Sequence, residues 1–343
     1  MTDDQWQTFV DVLDGKEVRP APVGLIVDCP WLPGRLGMTI LDYLTDDRAW
    51  LEANLAAVRR FLDVMLLPGF WPEYGMCTEP AAFGARMVWP ENDFPFAKRA
   101  VFDYAEIARI EKPDCRTDGL CPFVLRRWKH TVGEIAAAGH GVRFATSRGP
   151  WNIATYLLGH TETLLGVKTE PAAIHRLLDV VTGFIVDWLR LQAEAMPTID
   201  GILVLDDLIG FLGEADFVAF VVPYFQRIAA ALDVRVKMLH NDCHGRITAK
   251  HLRQMGFNVF NFSFEHPMGE IRRLAGEEVT LVGNVPPRDV LARGTPDDVR
   301  RAVVAAVEGL GDRRRLILSC GGGTPPGAPD ENIDALVAAA AAL

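Results

Sequence analysis

The chain has 343 residues, 49% of them hydrophobic, and a mean hydropathy of +0.11, enough apolar material for one large core or two ordinary ones. Acidic residues number 45 against 35 basic ones, a net charge of −10, and no basic stripe is available for a phosphate backbone, so nucleic acid is excluded as a partner. No stretch approaches the ~18 uncharged apolar residues of a membrane span. The acidic start "MTDDQWQTFV" is unlike a secretory signal, and six scattered cysteines (29, 77, 115, 121, 243 and 320) read as reduced thiols of a cytoplasmic protein.

Taken in order, short β-rich runs alternate with helical stretches. "PVGLIVD" (22–28) is followed by a helical stretch around 47–62, then by "DVMLLP" (63–68). Residues 69–141 are irregular, rich in Pro, Gly and aromatics, and read as a lid over one mouth of the fold, with "ARMVW" as one arm of a hairpin. "VRFATS" (142–147) resumes the pattern. In 171–191 a 3.6-residue period aligns Ile174, Leu177, Leu178, Val181, Ile185, Trp188 and Leu189, with Pro171 at the start, as a buried amphipathic helix requires. "GILVLD" (201–206), "RVKMLH" (235–240), "NVFNFS" (258–263), "VTLVGN" (279–284) and "RLILSC" (315–320) complete eight strands. Near-continuous apolar strands with helical crossovers imply a parallel sheet covered on both faces. Eight such units predict a (β/α)8 TIM barrel, one domain over 1–343 with 69–141 as an insertion. A doubly wound open sheet is the alternative, and it offers no reason for the number eight.

Active sites of such barrels are built at the C-terminal strand ends. Those ends carry Asp28–Cys29, Ser147–Arg148, Asp206–Asp207, His240–Asn241–Asp242–Cys243, Glu265–His266, Gly283–Asn284 and Cys320. His240, Cys243 and Cys320 form a candidate zinc set, since zinc takes imidazole nitrogen and thiolate sulfur, and three ligands leave a catalytic position open. The bland readings stand beside it. Asn241 and Asp242 also suit a loop or helix cap, Asp206–Asp207 a capping pair, and Cys320 a small buried apolar side chain.

Several segments are similar to one family. "GPWNIATYLLG" (149–159), "DGILVLDDLIGFLGEADFVAFVVPYFQRI" (200–228), "LHNDCHG…MGFNVFNF" (239–262) with its His-containing fifth strand, "LVGNVPPRDVLARGTPDDVR" (281–300) and "ILSCGGGTPPGAPDENIDALV" (317–337) resemble the uroporphyrinogen decarboxylase superfamily. The resemblance implies a (β/α)8 barrel. The decarboxylases themselves carry an arginine-rich N-terminal signature and an aspartate after strand 2. Here those places read "VDCPWLPGRLG" (27–37) and "LLPGFWPEYG" (66–75), with Arg35 alone as a match, which disfavours a tetrapyrrole with many carboxylates.

The other branch that the chain resembles comprises zinc-dependent corrinoid methyltransferases. Their pattern is His-x-Cys on strand 5 and a second cysteine after strand 8. Cys320 falls in place, but strand 5 reads His-x-x-Cys, with Asp242 in the cysteine slot, so the implied ligands are His240, Cys320 and either Cys243 or Asp242. That resemblance implies methyl transfer between a corrinoid (methylcobalamin), free or on a partner protein, and a thiol or folate acceptor. Asp206, Asp207 or Glu265 would orient the acceptor or manage its proton, and Asn284 would contact substrate. The aromatics Trp71, Tyr74, Trp89 and Phe94 would cover a macrocycle. A homodimer is usual in the family. A metal-independent lyase, with Arg35 and Arg148 holding a small carboxylate and His240 with Asp206 or Asp207 as acid and base, is the alternative. A corrinoid or tetrapyrrole carrier without turnover is the third reading.

Overall fold

The computed structural model describes residues 1–27 and 29–343; Asp28, expected at the end of the first strand, lies outside the described residues. Eight strands are parallel and curl into a barrel surrounded by helices: β1 (Val23–Ile26), β2 (Val64–Leu67), β3 (Phe144–Arg148), β4 (Gly201–Leu205), β5 (Val236–Asn241), β6 (Val259–Phe262), β7 (Thr280–Val285) and β8 (Leu316–Cys320). The predicted (β/α)8 architecture is the observed one. β8 pairs with β1 as well as β7, which brings the chain's ends round the barrel. Among the described residues β2 and β3 are not paired, and the excursion of 68–143 leaves the barrel there.

Side-chain alternation divides the apolar interior in two, because successive strand residues face opposite sides of a sheet. Val23, Leu25, Ala145, Ile202, Val204, Leu239, Phe260, Phe262, Leu281, Leu316, Leu318 and Cys320 face the surrounding helices in one large core. Met65, Leu67, Phe144, Leu203, Val236, Met238, Val259, Val282 and Ile317 face the barrel axis. This inner core is sealed by the N-terminal helix Asp3–Leu13, whose Trp6, Phe9 and Val10 pack into it. Trp6 meets Phe144 edge to face at 5.4 Å. The helix starts on a capping box, Thr2 with Gln5, in which each side chain satisfies the other's backbone N–H.

The excursion contains the expected hairpin, reduced to the antiparallel pair Met87–Val88 and Phe96–Ala97. Its first segment is held by two indoles: Trp128 Nε1 donates to the Phe70 carbonyl (2.8 Å) and Trp50 Nε1 to that of Trp71 (3.3 Å). Trp71 and Tyr74 are buried within the excursion, and Tyr74 meets the exposed Trp89 edge on at 6.2 Å. Helix Pro171–Ala195 buries the predicted stripe. Among the described residues no helix is long and apolar enough to cross a membrane.

Candidate active site

The C-terminal strand ends carry the polar side chains, and alternation decides which of them meet. On β5, Val236 and Met238 face the axis, so His240 does too, and Asp242 continues that row. In register, His240 lies between Leu205 of β4 and Asn261 of β6. His240 Nδ1 sits 2.7 Å from Asn261 Oδ1. The amide of Asn261 donates to the carbonyls of Val282 (2.8 Å) and Cys320 (3.3 Å). Those two acceptors fix the amide's orientation, so its oxygen faces His240 and Nδ1 carries the proton. Nε2 then points away from Asn261, toward Asp207 Oδ1 at 3.9 Å and Asp242 Oδ2 at 3.8 Å.

Asp206 and Asp207 separate completely. Asp206 is fully buried and accepts the backbone N–H groups of Trp151 (2.8 Å) and Asn152 (3.2 Å), in the first turn of helix Pro150–Leu158. Burial holds its carboxyl well above the usual range against the pull of those N–H groups. A Cβ on Gly149 would lie 2.3 Å from Asp206 Oδ2, so glycine is what lets the carboxylate dock. Asp206 therefore caps a helix, the bland alternative of the sequence reading. Asp207 faces the mouth. Its Oδ1 accepts the Asp242 N–H at 3.1 Å. Burial raises its pKa, the His240 ring opposes the rise, and the Asp242 carboxylate adds to it.

Asp207, His240 and Asp242 are, among the described residues, the one group of three or more His, Cys, Asp or Glu side chains whose donor atoms lie within 4.8 Å of one another. Cys243 and Cys320 are outside it. Cys243 donates its backbone N–H to Asn241 Oδ1 (3.0 Å), and burial raises its thiol. The Cys320 thiol is fully buried, donates to the Gly322 carbonyl at 3.3 Å, and is pushed up to about 12 by burial. The glycines after β8 allow close approach: a Cβ on Gly322 would lie 2.8 Å from Asp242 Oδ2, and one on Gly321 would lie 2.3 Å from the Phe264 nitrogen.

The other expected site residues are placed as follows. Arg148 faces the axis at the end of β3, is buried, lies over the Trp71 ring at 4.9 Å and forms an ion pair with buried Glu73. Glu79 accepts from Ser147 Oγ (3.1 Å) and the Arg148 N–H (2.9 Å). Arg35 is clamped bidentately by Asp330 at 2.8–3.1 Å, over the rings of Trp31 and Phe61. Asn284 donates to the His266 carbonyl at 2.8 Å, and the His266 ring accepts the Gly245 N–H at 3.0 Å. Glu265 is exposed and outside the Asp207–His240–Asp242 group. Asn261, Glu73 and Glu79 escaped the sequence reading. Asn261 had a signal, a polar residue on the inward row of an otherwise apolar strand; Glu73 and Glu79 lie in the irregular excursion, where no period places a side chain.

The donor set suits a divalent metal on chemical grounds. One imidazole nitrogen and two carboxylate oxygens converge, and the ring's other nitrogen is fixed by a hydrogen bond, as the outer shell of a ligating histidine usually is. Two carboxylates crowd together here, and burial disfavours the charge of Asp207, which a cation would relieve.

Comparison with known proteins agrees with the architecture. The chain is 25% identical to a uroporphyrinogen decarboxylase of Methylococcus capsulatus over 313 residues, 88% of this chain and 85% of that one. It is 27% identical over 300 residues to one of Thioalkalivibrio sulfidiphilus, covering 83% and 81%. A solved methyltransferase from Methanosarcina mazei superposes with a TM-score of 0.82 at 21% identity, covering 97% of both chains. A B12-independent methionine synthase from Shewanella superposes with a TM-score of 0.52 at 10% identity, over 85% and 87%. The family described as uroporphyrinogen decarboxylase (URO-D) matches residues 4–343, essentially the whole chain, and the protein belongs to that family.

Proposed function

We propose that the chain is a methyltransferase that moves a methyl group between a corrinoid, free or protein-bound, and a small thiol or folate acceptor, with a zinc ion at the C-terminal mouth. The observation that carries this reading is His240: a buried imidazole with one nitrogen locked by Asn261 and the other turned to two carboxylates. A metal there would act as a Lewis acid that keeps a bound acceptor deprotonated at neutral pH. The chain's own residues supply placement. Asn261 fixes the His240 ring. The Asp207 oxygen that accepts the Asp242 N–H holds the two loops in register. Arg148, Glu73 and Trp71 wall the mouth on the β3 side.

The metal-independent lyase draws support from the names of the curated relatives. The site offers it little. The two arginines expected to hold a substrate carboxylate are already matched by carboxylates, Arg35 by Asp330 and Arg148 by Glu73. The discriminating experiment incubates the protein with methylcobalamin and a panel of thiols and folates, and follows cobalamin demethylation by absorbance. Demethylation abolished by chelator and restored by zinc is expected. Carbon dioxide release from a carboxylated substrate, insensitive to chelator and without demethylation, would replace this reading with the lyase.

A further inference from the structure

We infer that the metal at this mouth is held by oxygen and nitrogen alone, through Asp207, His240 and Asp242, and that the thiols of Cys243 and Cys320 take no part. The inference rests on a metal binding at this mouth and not on methyl transfer. Side-chain alternation is its physical basis. Val236, Met238, His240 and Asp242 fall in one phase on β5 and its continuation, with the first two in the axial core, while Cys243 falls in the other. On β8, Ile317 packs into the axial core, and Leu316, Leu318 and Cys320 pack into the outer one. On β4, Leu203 lies in the axial core and Leu205 packs against it. Asp207 continues that row, and Asp206 is turned into the helix cap. One period thus brings a carboxylate from β4 into the group and leaves the sulfur of β8 outside.

A second observation is independent of the acidic pair. His240 is 6% exposed, and its Nε2 makes no hydrogen bond to any described residue, although Nδ1 makes one of 2.7 Å. A ring nitrogen of a buried side chain and two carboxylate oxygens thus converge from β4 and β5 to within 4.8 Å of one another, the donor set that a divalent cation takes. The donor set is harder than a thiolate site, and it suits zinc, cobalt, manganese or iron in the divalent state better than soft ions.

The test uses the full chain, stripped with chelator and reloaded with Co2+ or Zn2+, in the absence of any methyl donor. With Co2+ the wild type is expected to show visible ligand-field bands without the near-ultraviolet sulfur-to-cobalt charge-transfer band. Asp207→Asn and Asp242→Asn are expected to weaken metal binding by more than the ~10–100-fold that loss of an outer-shell partner costs, while Cys320→Ser and Cys243→Ser keep the wild-type stoichiometry. A charge-transfer band in the wild type would overturn the inference even if every variant misfolded. So would metal lost in Cys320→Ser but kept in Asp207→Asn, or a folded wild type that binds neither ion. A protein that binds the ions through oxygen yet never demethylates methylcobalamin would retain this inference and lose the proposed function.

Discussion

The two ends of the barrel are built from the same eight strands and could hardly differ more. At the N-terminal end the inward residues are Met65, Phe144, Leu203, Val236, Val259, Val282 and Ile317, closed by Trp6, Phe9 and Val10. At the C-terminal end the same rows turn into Arg148, Asp207, His240, Asn261 and Asn284. The contrast teaches a division of labour. The apolar end needs only shape and volume, so its contribution is to stability. The polar end must match its buried donors with acceptors, so each side chain there is fixed by a named partner, as Asn261 fixes His240.

That contrast can be broken by mutation. Phe9→Ala opens a cavity in the fully buried plug, and a loss of about 3–5 kcal/mol is expected, read from urea denaturation. The Co2+ spectrum of the folded fraction should stay unchanged, since the plug lies at the opposite end; an altered spectrum would show that the two ends are coupled. Asp206→Ala removes the acceptor of the Trp151 and Asn152 N–H groups, and about 1–2 kcal/mol should be lost, as for other N-terminal caps. Asp206→Asn should recover part of it, because one side-chain oxygen remains to accept. Full loss of activity in the Asn variant at unchanged stability would instead move Asp206 from capping to chemistry.

The smallest effect concerns pH and again falls at the plugged end. Burial, with the neighbouring α-amino group of Met1 second, pushes His140 down to about 4, against an ordinary value near ~6.5. The unfolded chain therefore binds this proton more tightly than the native one. The native state is unaffected above ~6.5 and loses stability as pH falls from there toward about 4. His140→Leu should flatten that acid limb in urea midpoints taken across the range. A variant with the same slope as wild type would assign the acid limb to other groups.

By itself the sequence determined the eight strands, their helices and the rim on which the chemistry stands. Apolar runs and a 3.6-residue stripe are local signals, and the barrel follows from their number and order. It also marked His240 and the crowd around it, because polar residues ending an apolar strand are visible in one dimension. Only the tertiary structure decided which neighbours meet. Asp206 and Asp207 are adjacent in the chain, yet one caps a helix and the other faces His240, and Cys320 of β8 packs into the outer core beside Leu318. The N-terminal helix likewise finds its partners across the whole chain. Such choices depend on strand phase and register between distant segments, and no local pattern carries them.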